Sequence, residues 1–298
     1  MLLSKKLRTP HFHTPHSLGI WKRDNIGGDA EANERRWKFK SRIDMEQQVY
    51  RHAEVVIATT VEQEEILLTK YELSQAKVEV IPPGFDEERY MPETHASVER
   101  LRRRLGLPQT FVLSLGRLAH NKGYDLLLKA FALLVERHLI EDSVFLVLAA
   151  GGLTISEKDK LRMKELEQLA RKLKIHRRIH WLGYVNDEDM AALYDCADVF
   201  VMPSRYEPFG MVAVEAMACG TPTVITTEGG LWRDLAYGRD VLFANSFKTE
   251  ELAINIAMPL NYPRVSERLR RRGAMKAHSD YTWTSIAQRT LSLFQKSI

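Results

Sequence analysis

Cysteine is nearly absent: Cys196 and Cys219 are the only two in 298 residues. Both sit in apolar surroundings where a helical pattern passes into a loop, so no disulfide framework holds this fold. Reduced thiols and a cytoplasmic protein are the expectation. Long hydrophobic runs are missing too. The longest, Val144 to Gly152, falls well short of the ~18 apolar residues of a membrane span, and no membrane partner is expected. Met1 to Pro10 carries Lys5, Lys6 and Arg8 with only a scrap of apolar sequence, which does not make a signal peptide. Neither sign of charge dominates: 43 Lys and Arg stand against 39 Asp and Glu, for a net charge of +4. That mild excess suits anionic substrates and is too weak to argue for nucleic acid. The basic runs Arg100 to Arg104 and Arg268 to Arg272 are interleaved with apolar residues at helical spacing, as on a solvated helix face. A completed metal-ligand cluster is also lacking. His11 and His13 alternate on a strand and His16 follows, but no acidic or histidine cluster at another strand end joins them, and no metal or other cofactor is expected. His16 stays a candidate ligand contact, weighed against the commoner structural role of a lone histidine.

What is present reads as α/β. The chain is 45% hydrophobic and 28% charged, an ordinary globular balance for one large or two medium domains. The first part has three short strands: His11 to Thr14, Val55 to Ala58 and Val78 to Ile81. Met1 to Leu7 reads as the tail of a helix, Ile20 to Asn33 as a polar loop, Glu34 to Arg51 as one helix, and Thr60 to Lys70 as a helix capped by Thr59 or Thr60. Pro82-Pro83-Gly84 stops the third strand, and the segment through Pro92 reads as a linker. A clean alternation follows. Strands are expected at Phe111 to Leu115, Val144 to Ala149, Ile179 to Leu182, Val199 to Met202, Thr223 to Thr226 and Val241 to Phe243. Helices lie between them at Tyr124 to His138, Ser156 to Leu173, Glu188 to Ala197 and Gly210 to Ala218, and three more close the chain. Such alternation means a doubly wound parallel sheet, whose ligands bind beyond the carboxyl ends of the strands. The expected division is 1–92, 93–262 and a closing helical segment, 263–298.

The loops after those strands carry the candidate chemistry. Asp198-Val199-Phe200-Val201 leads through Glu207-Pro208-Phe209-Gly210-Met211 into a nearly all-apolar helix that holds Glu215. A buried carboxylate needs a dedicated partner. The helix N-terminus at Phe209, Gly210 and Met211 offers free N–H groups and a seat for an anion. Gly116 lets the backbone approach a ligand, and Arg117 and Lys122 place two cations at the same kind of strand end, where they would stabilise charge building on a leaving diphosphate. Glu207 is assigned to sugar hydroxyls and Glu215 to ribose hydroxyls. A glycosidase-like carboxylate pair is the weaker rival, since it leaves the anion seat and the cations without purpose. Leu182-Gly183-Tyr184-Val185 could hold a base through backbone groups. Thr227-Glu228-Gly229-Gly230 is open between structural turn and ligand loop. Asp187, Glu188 and Asp189 read as helix-capping acids rather than a metal site.

With these motifs placed, the chain resembles the retaining glycosyltransferases of GT-B fold in the sucrose-phosphate synthase group. Gly116-Arg117 with Lys122-Gly123, and the glutamates Glu207 and Glu215, match the general signatures. His16-Ser17-Leu18-Gly19, the helix with Lys38, Lys40 and Arg42, and Ile81-Pro82-Pro83-Gly84 match the branch. The resemblance covers essentially the whole chain and implies Rossmann-like sheets in both domains: an acceptor-side domain in 1–92, a nucleotide-sugar domain in 93–262, and closing helices in 263–298 that pack back toward the first. It implies hexose transfer from a nucleotide diphosphate sugar, GDP-mannose or UDP-glucose, to fructose 6-phosphate with retention. On that likeness Arg117 and Lys122 hold the diphosphate, Glu207 the donor sugar and Glu215 the ribose. His16 contacts the sugar near the reacting carbon, and Lys22, Lys40 and Arg42 form the cationic stretch for the acceptor phosphate. Members of the group begin with a complete Rossmann-like domain, so this chain is expected to lack roughly a hundred residues of it. A truncated N-terminal sheet and little transfer by this polypeptide alone follow as expectations. A catalytically silent nucleotide-sugar-binding module is the alternative from another class.

Overall fold

The strands in the second half of the chain are rich in apolar residues, because the sheet they form is covered on both faces. A computed structural model describes residues 2–296; of the expected elements, Met1 and residues 297 and 298 lie outside them. The chain divides into two units, one reaching Gly84 and rejoined by the chain from Trp283, the other Phe85–Thr282.

The first unit contains α1 (Leu2–Leu7), β1 (Phe12–His13), α2 (Gly19–Asn25), α3 (Ala30–Trp37), α4 (Phe39–His52), β2 (Val55–Ala58), α5 (Val61–Thr69) and β3 (Val78–Val80). Its strands form a parallel sheet in the order β1-β2-β3. The expected loop over Ile20 to Asn33 is instead helical at both ends. Ile20 and Trp21 are buried in α2, and the Asp29 side chain accepts from Ala32 N–H to start α3. The turn between them falls to Gly27 and Gly28, at φ +68° and +82°. The single helix expected over Glu34 to Arg51 is broken, because Lys38 takes a left-handed conformation (φ 48°) that ends α3 before α4 begins. Of the two expected capping candidates, Thr60 caps α5 by accepting from Gln63 N–H.

The second unit holds α6 (His95–Leu105), β4 (Thr110–Gly116), α7 (Tyr124–Glu136), β5 (Val144–Ala150), α8 (Glu157–Lys172), β6 (Ile179–Trp181), α9 (Met190–Cys196), β7 (Val199–Met202), α10 (Met211–Ala218), β8 (Thr223–Thr226), β9 (Leu242–Ala244), α11 (Thr249–Asn261) and α12 (Pro263–Asp280). Its six strands are all parallel, in the order β6-β5-β4-β7-β8-β9. Alternate residues of one strand feed opposite cores. Phe111 and Leu113 of β4 join a cluster with α9 and α10, while Val112 joins one with α7 and α11. That two-sided burial is why alternation of polar and apolar residues is absent here. The strand order reverses between β4 and β7, and this is where ligands of doubly wound sheets bind.

The unit boundaries fall at Gly84/Phe85 and Thr282/Trp283 rather than at 92/93 and 262/263. Phe85 is buried with Tyr281 in the second unit's core, and its N–H bonds Tyr281 C=O at 2.8 Å. Leu269 and Ala277 bury α12 in the same unit, so of the closing helices only α13 (Trp283–Lys296) belongs with the first unit. There Ile286 joins Val55, Ile57 and Ile81. Both cysteines are free and buried, and burial pushes the Cys196 thiol up to about 11.

Candidate active site

The loops leaving β4 and β7 are fastened to each other. β4 ends at Gly116 (φ +136°), and a tight turn over His120–Lys122 brings the chain to Gly123 at φ +68°. A Cβ on Gly123 would lie 1.8 Å from the carbonyl oxygen of Pro203, so only glycine permits this approach. Arg205 N–H then donates to Asn121 C=O at 2.8 Å, and Asn121 Nδ2 donates to Tyr206 C=O at 3.0 Å. As a result Lys122 Nζ stands 2.5 Å from Glu207 Oε2, each side chain only 14% exposed. Ser204 Oγ lies 3.4 Å from the same oxygen. Arg117 extends into solvent and forms no ion pair among the described residues. A cation already engaged and one that is free therefore share one strand end.

Glu207 is also held through its backbone. Its C=O accepts from Gly230 N–H at 3.1 Å, and a Cβ on Gly229 would approach that oxygen to 3.1 Å. The Thr227–Gly230 loop thus uses its glycines for close backbone approach. Gly210, at φ +112°, precedes α10, and a Cβ there would meet Met202 Cε at 2.8 Å. Phe209 and Gly210 are buried and Met211 is half-buried. Ala213 and Val214 N–H bond Gly210 C=O, so the N–H groups ahead of them lack intrahelical partners and point out of the helix end.

Glu215 has the partner its burial demands, but that partner is a hydroxyl. Tyr194 O–H donates to Glu215 Oε2 at 2.9 Å. Burial raises the Glu215 pKa, the Tyr194 hydrogen bond opposes this, Asp187 adds to the rise and Arg89 opposes it. Burial, and then Glu215 itself, lift the neighbouring Tyr90 phenol to about 12. Val185, in the loop after β6, is half-buried against the same core. Asp187 lies 3.9 Å from Arg89, and Asp189 pairs with Arg104. The three acids form a short turn ahead of α9 and make no side-chain cap on it.

The remaining expected residues belong to the first unit. His16 is exposed on the loop after β1. That loop is fixed by Arg42, whose Nη2 donates to Ser17 C=O at 2.7 Å and Ser17 Oγ at 2.9 Å, and by Glu46, which accepts from Gly19 N–H at 2.9 Å. Arg42 also pairs with Glu46 at 2.7 Å, so its charge is spent inside the unit. Lys22 Nζ sits 3.3 Å from the centre of the Trp37 ring. Lys40 is exposed and lines a cavity of about 480 Å³ with Arg23, Asn33 and Glu34. His11 and His13 rings lie 5.8 Å apart; burial first, then neighbouring positive charge, lowers the pKa of each. Among the described residues no cluster of three or more His, Cys, Asp or Glu could hold a metal ion.

Four side chains escape a reading of the sequence. Tyr194 reaches Glu215 from 21 residues away. Asp125 and Arg205, 80 residues apart, make a two-pronged ion pair. Tyr124 is buried, with a hydroxyl that has no hydrogen-bond partner among the described residues. Only the position of Asp125 in the first turn of α7 is a visible signal, and a first-turn acid usually reads as a dipole partner.

The sequence model of the glycosyl transferases, group 1, matches residues 97–274, and that of glycosyltransferase family 4 matches residues 1–89. Mannosylfructose-phosphate synthase of Agrobacterium fabrum is 45% identical over 297 residues, which are 98% of this chain and 65% of that protein. A D-inositol 3-phosphate glycosyltransferase of Corynebacterium urealyticum is 33% identical over 95% of this chain and 65% of its own length. The chain thus spans less than two thirds of these curated relatives. Among solved structures, the sucrose-phosphate synthase of Thermosynechococcus elongatus superimposes with a TM-score of 0.81 at 28% identity, covering 99% of this chain and 70% of that one. Anabaena HepE, solved with UDP-glucose, shares the fold at a TM-score of 0.80 and 22% identity, over 99% of this chain and 74% of its own. The architecture is GT-B.

Proposed function

This chain belongs to the glycosyl transferases of group 1, and we propose that it serves a retaining hexosyltransferase of the sucrose-phosphate synthase group that passes a hexose from a nucleoside diphosphate sugar to fructose 6-phosphate. GDP-mannose is the proposed donor, making the activity that of a mannosylfructose-phosphate synthase. The observation that carries this reading is the 45% identity with such a synthase over nearly the whole chain. UDP-glucose and sucrose-phosphate synthesis form the second reading, favoured by the TM-score of 0.81 with a sucrose-phosphate synthase.

The chemistry follows from the loops at the strand reversal. The bond between the anomeric carbon and the diphosphate breaks, and its electron pair leaves on the phosphate oxygen. Arg117, Lys122 and the N–H groups opening α10 meet that charge, a task a divalent cation would otherwise perform. The fructose 6-phosphate hydroxyl attacks on the same face, and its proton passes to the departing phosphate oxygen, so no protein base is required. Glu207 accepts from hexose hydroxyls and Glu215 from ribose hydroxyls. Val185 and its loop hold the base through backbone groups. His16 is assigned to the hexose near the reacting carbon. Since Arg42 is engaged by Ser17 and Glu46, the acceptor phosphate falls mainly to Lys22 and Lys40. Two free, buried cysteines suit a reducing cytoplasm.

Calorimetric titration of the whole protein with GDP and with UDP tests the donor, followed by transfer assays with fructose 6-phosphate. GDP binding with mannosyl transfer is the expected result; UDP binding with glucosyl transfer favours the second reading. Binding of neither nucleotide overturns both. Glu215→Ala is expected to weaken nucleotide binding, whereas Glu207→Ala keeps the nucleotide and loses the sugar.

A further inference from the structure

The Lys122–Glu207 contact depends on two loops joined through Asn121, Arg205 N–H and Tyr206 C=O. A group of charged side chains beside them supplies a further hold. Arg205 lies two residues before Glu207, yet its guanidinium turns away from it. Nη1 and Nη2 donate to Asp125 Oδ1 and Oδ2 at 2.8 and 2.6 Å, and Nη1 also donates to His120 C=O at 3.2 Å. Arg162 of α8 then donates to Asp125 Oδ1 at 2.9 Å and pairs with Glu165 at 2.9 Å. The three charged side chains at the centre are 16 to 18% exposed, nearly as shielded as Lys122 and Glu207. Paired planar forks of this kind fix orientation as well as distance. Asp125 is anchored in the first turn of α7, directly after the Lys122-Gly123 turn, so the pair ties the Glu207 loop to the base of the Lys122 loop.

We infer that Asp125 and Arg205 are positioning residues, a clamp that sets the Glu207 carboxylate against the hexose while touching neither donor nor acceptor. The inference rests on the donor-site reading above. Displacement of a substrate-positioning group by about 1 Å costs on the order of a hundredfold in rate, so a clamp at one remove controls turnover. Burial by itself would raise the Asp125 pKa; the Arg205 hydrogen bonds and charge, with Arg162, more than reverse this and hold it at about 2. The clamp is therefore closed throughout the range in which such an enzyme works.

Asp125→Asn, Arg205→Met and the double variant in the whole protein test the clamp. The measurement is the ratio of affinity for a nucleotide sugar, GDP-mannose or UDP-glucose, to affinity for its nucleotide diphosphate, together with kcat. Both single variants are expected to lose the extra affinity due to the hexose and about tenfold or more of kcat, with nucleotide diphosphate affinity within about threefold of wild type. The double variant falls no further than the worse single one, and Arg205→Lys does not rescue, since an ammonium cannot engage both carboxylate oxygens. An unchanged ratio and kcat overturn the clamp alone. So does parallel loss of nucleotide and nucleotide sugar in step with the melting temperature, which marks a merely structural pair. A wild-type protein that binds none of these ligands overturns the donor-site reading and the clamp with it.

Discussion

Lys122 Nζ and Glu207 Oε2 are 2.5 Å apart across the strand reversal, on loops that leave β4 and β7, which are neighbours in the sheet. Each side chain is a proposed ligand contact, and each neutralises the other before any ligand arrives. A partly buried pair of this kind is costly to halve. Lys122→Ala is expected to destabilise the protein by about 1–3 kcal/mol, because the shielded Glu207 side chain is left without its partner. Lys122→Ala/Glu207→Ala should be less destabilised than the sum of the single changes. Denaturant unfolding of the four proteins measures this, and strictly additive losses would contradict the coupling.

Gly123 tolerates no side chain. Its φ of +68° strains any other residue, and a Cβ would lie 1.8 Å from Pro203 C=O. The obstacle is backbone, so the two loops must part to admit a methyl group. Gly123→Ala is expected to cost more than about 3 kcal/mol or to prevent folding, read as a fall in the thermal midpoint and in soluble yield. Gly106→Ala is the control, with φ +59° and open space around it, and should lose only about 1 kcal/mol. Equal losses would show that φ alone matters.

Glu215 gives a pH signature. Its pKa is raised by burial, against the Tyr194 hydrogen bond. Between the ordinary glutamate value of 4.5 and its raised value, the folded state holds this proton and the unfolded state does not. The group therefore supports folding most below that window, and the support is lost as pH rises through it. Glu215→Gln removes this slope while Oε1 still accepts from Tyr194. Thermal midpoints from pH 4 to 8 should show wild type losing ground to the variant as pH rises. Parallel curves would mean that the Glu215 pKa is not raised.

Tyr124 carries a buried hydroxyl with no partner among the described residues, its oxygen 3.3 Å from where a Gly116 Cβ would stand. Burial, and the nearby Glu207, keep the phenol from ionising. A polar group buried without a partner costs about 1–3 kcal/mol, so Tyr124→Phe is expected to leave stability unchanged or raise it by up to about 1 kcal/mol. A loss above about 1 kcal/mol in denaturant unfolding would reveal a hydrogen bond to an ordered water.

The strands of the second unit were legible because a strand buried on both faces is mostly apolar, as Val144 to Ala150 is throughout. The places of Gly116, Lys122, Glu207 and Gly210 were legible for a related reason: Gly116 ends such a strand, and the others lie in the loops that follow one. The helices within Ile20 to Asn33 were not. They are short, largely polar, and separated by Gly27 and Gly28, whose presence reads as a loop. The break at Lys38 carries no glycine or proline to announce it.

From the sequence alone come the alternation of strands and helices, the identity of the loops at the carboxyl ends, and the charges those loops carry. The pairs that make a site of them were decided by the tertiary structure. Lys122 meets Glu207 across 85 residues and Arg205 meets Asp125 across 80, because β7 lies beside β4 in the sheet rather than beside β6, the strand before it in sequence. Apolar strands read alike in any order. The neighbour is chosen by how helices pack on the two faces and where the winding reverses, and that choice brings the loops together.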